Sequence, residues 1–244
     1  FELVAESDVA IRTDLDLSET RMDLGFNTTE NEALAGMETY AFRVKPGEDV
    51  SCLNLYKARL PRMLGTGQNM VRRGGFAFHA VEGDVPPNPW VLLERTRSDG
   101  AIPAFADYAS ATWILQIGLG DEIVVLNDRN EPTRLRIVGL LKDSLLQGEL
   151  LIGEDAFVGA FPSIEGYRFF LVDTTDSSTG RLLERKLVRF GYDARPTVQR
   201  LAAYKAVENT YMTTFQVLGG LGLGLGTIGL AIVMLKNAID RRAE

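Results

Sequence analysis

The side chains able to do chemistry are few, and their spacing does not assemble a site. One histidine, His79, is the whole imidazole supply of the 244 residues, which excludes a two-histidine metal centre and leaves any catalytic triad dependent on this ring. With Phe76 and Phe78 close before it, His79 reads as a strand residue rather than a base. Paired carboxylates occur at Asp14/Asp16, Glu48/Asp49, Asp121/Glu122 and Glu154/Asp155. Such pairs can exchange a proton or bind calcium, but none has the DxDxDG spacing of a calcium loop, and we read them as solvated faces. Glu154/Asp155 suits a helix N-terminus, where the dipole favours negative charge. Cys52 follows Ser51; without a base to activate it, it reads as a small core residue.

Nucleotide chemistry fares no better. No GxxxxGK[ST] phosphate loop is present, so any ATP hydrolysis belongs to another chain or segment. Gly224-Leu225-Gly226-Thr227-Ile228-Gly229 satisfies GxGxxG, yet the strand before it and the acidic residue about 20 positions after it are missing, so the match is a by-product of glycine density. Asn27-Thr28-Thr29 is a glycosylation sequon that matters only in a eukaryotic secretory setting. The expectation is a chain with no catalytic residue, no cofactor and no metal.

The elements that would position such groups divide the chain between two solvents. Hydrophobic residues make up 45% and charged residues 24%, enough to fill one large core or two small ones. A net charge of -7 and a pI near 5.0, with no basic block, argue against nucleic acid as a partner. The single cysteine excludes an intramolecular disulfide framework. The chain opens at Phe1 without a basic, apolar leader and reads as a piece of a longer one.

Asn209 to Leu235 carries no charge over 27 residues, where about 20 suffice to cross a hydrocarbon core as a helix. Thr213, Thr214 and Gln216 crowd its first turns, and Tyr211 suits an interfacial belt. Gly219, Gly220, Gly222, Gly224, Gly226 and Gly229 would each cost a soluble helix about 1 kcal/mol relative to Ala. In lipid the same residues let another helix approach, and Gly220/Gly224 and Gly222/Gly226 are overlapping GxxxG pairs. Lys236, Arg241 and Arg242 follow the span and favour a cytoplasmic C-terminal flank.

Before the span, near-alternation in residues 1–16 predicts one or two strands, and the segment to Tyr40 is acidic and weakly periodic. Residues 60–103 are broken by Pro and Gly into loops and short strands. Residues 121–141 predict a hairpin around an Asn-Asp-Arg-Asn-Glu-Pro turn. A strand over Leu150–Ile152, a short helix from Glu154 and a buried strand over Arg168–Val172 follow. Leu182, Leu183, Leu187 and Val188 define one face of a helix from Gly180 to Phe190, stopped by Gly191. A short strand near Asp193 follows, and Thr197 is a candidate N-cap for a helix carrying Leu201, Tyr204 and Val207 into the span. If the two helices are continuous, motion outside the bilayer couples to motion within it. Together these elements predict an α+β sandwich with a β-rich insertion at about 57–140.

From Asn209 onward the sequence resembles the start of the FtsX-like permease module of FtsX/MacB-type ABC transporter permeases. The matching residues are Asn209, Thr210, Tyr211, Phe215, Gln216, Leu218 through Gly222, Gly226, Gly229, Asn237, Arg241, Arg242 and Glu244. Upstream, Ser51 through Tyr56, Pro61-Arg62, Ser144, Gln147 through Leu150 and Phe161-Pro162 are similar to a subgroup with a large extracytoplasmic domain. Asp240 and Lys236 stand where the family pattern has Glu and Arg, keeping the charge. The resemblance implies a porter-like α/β sandwich with an inserted β-rich subdomain. It also implies an extracytoplasmic (periplasmic) domain over 1–205, a juxtamembrane and transmembrane helix over 206–236, and the start of a cytoplasmic segment over 237–244. Such a chain is a non-catalytic permease component in a bacterial inner membrane. It is moved by a separate ABC ATPase subunit for mechanotransmission, export or lipoprotein and peptide extrusion, beside a second permease copy or paralogue in the lipid bilayer. The alternative from the residues is a membrane-anchored sensor or adhesion domain that dimerises through its GxxxG helix. An anchored hydrolase built on His79 has little to assemble it.

Overall fold

A computed structural model describes residues 1–47 and 61–240, with side chains described outside 204–212 and 236–240. Ser51, Cys52 and Glu48/Asp49 therefore lie outside the described residues, as do Arg241, Arg242 and Glu244. Contacts divide the chain into Phe1–Val198 and Gln199–Glu244.

The first unit is a mixed α/β structure on one large sheet. Its strands are β1 (Leu3–Ile11), β2 (Glu38–Lys45), β3 (Arg62–Thr66), β4 (Ala77–Val81), β5 (Ile102–Asp107), β6 (Glu122–Leu126), β7 (Pro132–Lys142), β8 (Glu149–Gly153), β9 (Tyr167–Asp173) and β10 (Asp193–Pro196). They are ordered β10-β1-β9-β2-β3-β8-β5-β7-β4, with β6 also on β7. Only β3–β8 and β5–β7 are parallel among the described pairs. All five residues of β8 and four of the seven in β9 are buried. That pattern fits strands covered on both faces, and their short apolar runs supply it.

The hairpin at 121–141 is present as β6 and β7, closed by Asn127 N–H to the Glu131 carbonyl at 3.0 Å. The strand at Leu150–Ile152, the helix from Glu154 and the strand at Arg168–Val172 appear as β8, α4 (Glu154–Ala160) and β9. The acidic stretch before Tyr40 holds two short helices, α1 (Ser18–Asp23) and α2 (Thr28–Ala33). Weak periodicity hid them because each is barely two turns long. Asn27, the sequon residue, caps α2: its Oδ1 accepts the Glu30 N–H at 2.9 Å while Glu30 Oε2 accepts the Asn27 N–H at 2.8 Å. The remaining helices are α3 (Gln68–Arg73), α5 (Thr179–Lys186) and α6 (Thr197–Asp240).

The helix expected over 180–190 needs correction. Regular α-helix ends at Lys186, a 3-10 turn covers Val188–Phe190, and Val188 is 73% exposed rather than on the buried face. The tighter turn rotates residue 188 off the stripe that Leu182, Leu183 and Leu187 share. Gly191 does stop the segment, with φ of +64°. Leu182, Leu183 and Leu187 pack with Ile11, Leu15, Phe26, Leu34, Phe170 and Val172 in one core cluster. A second joins Met63, Leu150, Ile152, Phe157 and Phe161 with Ala104, Leu135 and Ile137. β3 to β7, from within the expected β-rich insertion, are hydrogen-bonded into the same sheet as β1, β2 and β9.

Candidate functional site

α6 is helical without a break over 44 residues. Thr197 begins it, but the Thr197 hydroxyl is buried with no hydrogen-bond partner among the described residues, so the side-chain cap expected there does not form. Within α6, Thr213–Leu235 is a 23-residue stretch of mean hydropathy 2.1, none of it buried. At 1.5 Å per residue it is about 34 Å long, a match for a hydrocarbon core of about 30 Å. Phe215, Leu223, Leu225 and Ile232 are 71%, 74%, 69% and 62% exposed. In water such a surface would be a severe aggregation hazard. The hydroxyl of Thr227, in the middle of the stretch, turns back on the helix and donates to the carbonyls of Leu223 (3.0 Å) and Gly224 (2.9 Å). This self-satisfaction is what an apolar solvent requires of a hydroxyl.

The six glycines sort onto two stripes. At 3.6 residues per turn, Gly219, Gly222, Gly226 and Gly229 follow one line in steps of three, four and three. Gly220 and Gly224 lie about 160° round the helix, aligned with Gln216, Thr227 and Ala231. Val217, Leu221, Leu225, Ile228 and Ile232 form a bulky ridge between the stripes on one side. A Cβ built on any of the six glycines meets nothing within 4 Å. The side chain of Lys236 is outside the described set.

The residues weighed for chemistry do not converge. His79 sits on β4, exposed, its ring stacked on Tyr108 at 3.7 Å between centroids. Asp14 Oδ1 accepts the Asp16 N–H at 2.9 Å, and Asp16 Oδ1 accepts the Thr39 N–H at 2.7 Å. Burial raises the Asp16 carboxyl above its ordinary range, against the lowering by that bond. Asp121 accepts the Gly118 N–H at 2.7 Å, and Glu122 reaches Arg134 at 3.4 Å. Glu154 opens α4 as expected and pairs with Arg43 at 2.7 Å, while the Tyr167 hydroxyl donates to the same oxygen at 2.8 Å. Burial first, then this hydrogen bond, raises the Tyr167 phenol. At least one carboxylate of each described pair is thus spent on local structure. Among the described residues no group of three or more His, Cys, Asp or Glu is placed to hold a metal ion.

Two buried polar hubs escaped the sequence reading. Asp107, 1% exposed at the end of β5, accepts the N–H groups of Ala109 (3.1 Å) and Ser110 (3.2 Å). It thereby starts a helical run that widens into a π-turn over Ser110–Leu115. Ser110 Oγ in turn accepts the Gly148 N–H at 2.7 Å, and Ser144 Oγ accepts the Leu146 N–H at 2.9 Å. An Asp two residues before a small-residue run was the available signal. The second hub is Arg21, 4% exposed, donating to Asn31 at 2.7 Å and to the Leu15 carbonyl at 2.8 Å; nothing in its surroundings in sequence marks it. Several residues that carry the family resemblance are structural. Ser144 and Gly148 belong to the Asp107 hub, Arg62 bridges Glu6 (3.0 Å) and Glu149 (3.6 Å), and Phe161 is fully buried.

No family model matches the chain, and no curated protein matches it. Among solved structures it is similar to the periplasmic region of MacB from Actinobacillus actinomycetemcomitans, at 11% identity and a TM-score of 0.42 over 85% of this chain and 92% of that one. It is also similar to the extracellular domain of the noncanonic ABC-type transporter YknZ from Gram-positive bacteria, at 14% identity and a TM-score of 0.37 over 78% of this chain and 99% of that one.

Proposed function

We propose that the chain is a non-catalytic transport component: an extracytoplasmic domain over 1–205, a juxtamembrane and membrane-spanning helix over 206–236, and the start of a cytoplasmic segment over 237–244. The observation that carries this reading is the exposed, uncharged Thr213–Leu235 stretch of α6, long enough to span and satisfied in its one mid-span hydroxyl. The FtsX/MacB-like pattern of the last 36 residues supports a permease rather than a bare anchor. In that role a separate ATPase subunit, bound through cytoplasmic parts of the full-length protein, moves the domain through the helix, and the domain binds a substrate or a partner.

The two glycine stripes support helix contact on two sides. Gly219, Gly222, Gly226 and Gly229 would seat one neighbouring membrane helix and Gly220 with Gly224 another, leaving the Leu221, Leu225 and Ile228 ridge to lipid. Lys236, Arg241 and Arg242 would hold the cytoplasmic end. Co-purification of the full-length protein from bacterial inner membranes tests this. An ABC ATPase that copurifies, and whose ATP turnover changes when Gly222 and Gly226 are replaced by Leu, supports it. A protein that stays in the soluble fraction overturns both this reading and the anchored-sensor alternative, while one that purifies from membranes without any ATPase and dimerises through the helix returns the anchored-sensor alternative.

A further inference from the structure

Adjacent strands β3 and β8 run parallel, with Thr66 and Gly153 as register partners at their carboxyl ends. From there the chain departs to opposite faces of the sheet. After β8 it enters α4, which covers the face of Gly65: a Cβ built there would lie 2.8 Å from the Phe157 ring. After β3 it enters α3, which packs on the 3-10 segment Pro89–Glu94. That segment covers the other face, since a Cβ built on Gly153 would lie 2.8 Å from the Leu93 carbonyl oxygen. In open sheets, ligands occupy the crevice outside the carboxyl ends of strands whose connections diverge in this way. A cavity of about 700 Å³ lies at that place, lined from both sides of the divergence, within the range of small-molecule pockets.

At its floor lies a buried hydroxyl. Thr66 is 1% exposed, lines the cavity, and its hydroxyl has no partner among the described residues. As the register partner of Gly153 on a parallel strand it faces the side on which Gly153 meets the Leu93 carbonyl. A hydroxyl buried this deeply is ordinarily hydrogen-bonded. The rim carries charge of both signs. Arg97 is neutralised by Glu82 and Asp99, and Glu154 by Arg43. Glu94, Arg95 and Asp155 make no ion pair among the described residues. No aromatic side chain is among the described lining residues, so they offer no stacking recognition of a base or a sugar ring.

We propose that this crevice binds a small zwitterion, a free amino acid or a dipeptide. Its carboxylate meets Arg95, its ammonium meets Glu94 and Asp155, and the Thr66 hydroxyl completes the set at the floor. The site stands whether or not α6 crosses a membrane. The test is calorimetric titration of the full chain in detergent with each free amino acid and with dialanine. N-acetyl-alanine methylamide and sorbitol serve as uncharged comparisons. At least one zwitterion is expected to bind, with its N-acetylated and its amidated forms weaker by about tenfold or more, as lost charge-assisted hydrogen bonds predict. Arg95→Gln should weaken that zwitterion about tenfold and Thr66→Val severalfold, neither variant melting below the parent. Absence of binding by every zwitterion overturns the proposal. So does equal binding of the blocked forms, or of sorbitol, or an affinity unmoved by Arg95→Gln, an exposed change that leaves the fold intact.

Discussion

Replacing Asp107 with Ala should destabilise the first unit by about 2–6 kcal/mol. The carboxylate is 1% exposed and holds the Ala109 and Ser110 N–H groups at 3.1 and 3.2 Å, with longer contacts at 3.4 Å to the Ser110 hydroxyl and the Ser144 N–H. A buried donor stripped of its acceptor costs about 1–3 kcal/mol. The two short bonds are lost outright, while the long ones contribute little, which sets the range. Asp107→Asn keeps one oxygen for Ala109 and Ser110 but turns an NH2 toward the Ser144 N–H, and should cost about 1–2 kcal/mol. Urea unfolding of the full chain in detergent, followed by tryptophan fluorescence, reads this through Trp90, which is fully buried against Phe105 on the same strand as Asp107. A loss below about 0.5 kcal/mol for Asp107→Ala, the level of an ordinary surface change, would refute the hub. Ser110→Ala gives a further check, since its Oγ accepts the Gly148 N–H and its effect should be non-additive with Asp107→Ala.

Val188→Asp should change stability by less than about 0.5 kcal/mol because residue 188 is exposed, whereas Leu183→Asp, at a fully buried position, should abolish folding, as thermal melts would read. Glu82 is held below the ordinary carboxyl range by its bond to Arg136 at 2.6 Å and then by Arg97. A depressed carboxyl contributes stability that is complete above its unfolded value near 4.5 and lost as pH falls through its folded value. Glu82→Gln should therefore lower stability at pH 7 by about 0.5–1 kcal/mol, discounted for partial exposure, and flatten the acid limb of the stability curve. Arg43→Met, which strands Glu154 at 22% side-chain exposure beside the Tyr167 hydroxyl, should cost about 1–2 kcal/mol in urea melts.

The parts that read well from sequence are those governed by local pattern. The β6–β7 hairpin follows from two apolar runs around a turn-rich segment, β8 and β9 from short buried runs, and the Thr213–Leu235 stretch from an absence of charge that no water-exposed helix sustains on all sides. What stayed hidden depends on partners distant in sequence. Parallel pairing of β3 with β8 joins residues nearly ninety positions apart, and no turn signal announces it. Arg21 gives no hint of burial until the Leu15 carbonyl and Asn31 close around it. Val188 was misplaced because periodicity assumes a constant 3.6 residues per turn, and the chain tightens to 3-10 there. At the candidate site the glycines were legible as close-approach positions, but their division into two stripes needed the helix to be unbroken through all six. The Thr66 crevice could not be read at all, since it exists only where two strands meet and diverge.

The central claim is that the first unit and the residues after Leu235 lie on opposite sides of a membrane, and sided labelling tests it most directly. With Cys52 replaced by Ser, single cysteines at Ser178, exposed beside α5, and at Ala243 report the two sides to a membrane-impermeant maleimide. Intact cells expressing the full-length protein should label S178C and spare A243C until the membrane is opened. Labelling of both positions in intact cells, or of neither, would contradict the account.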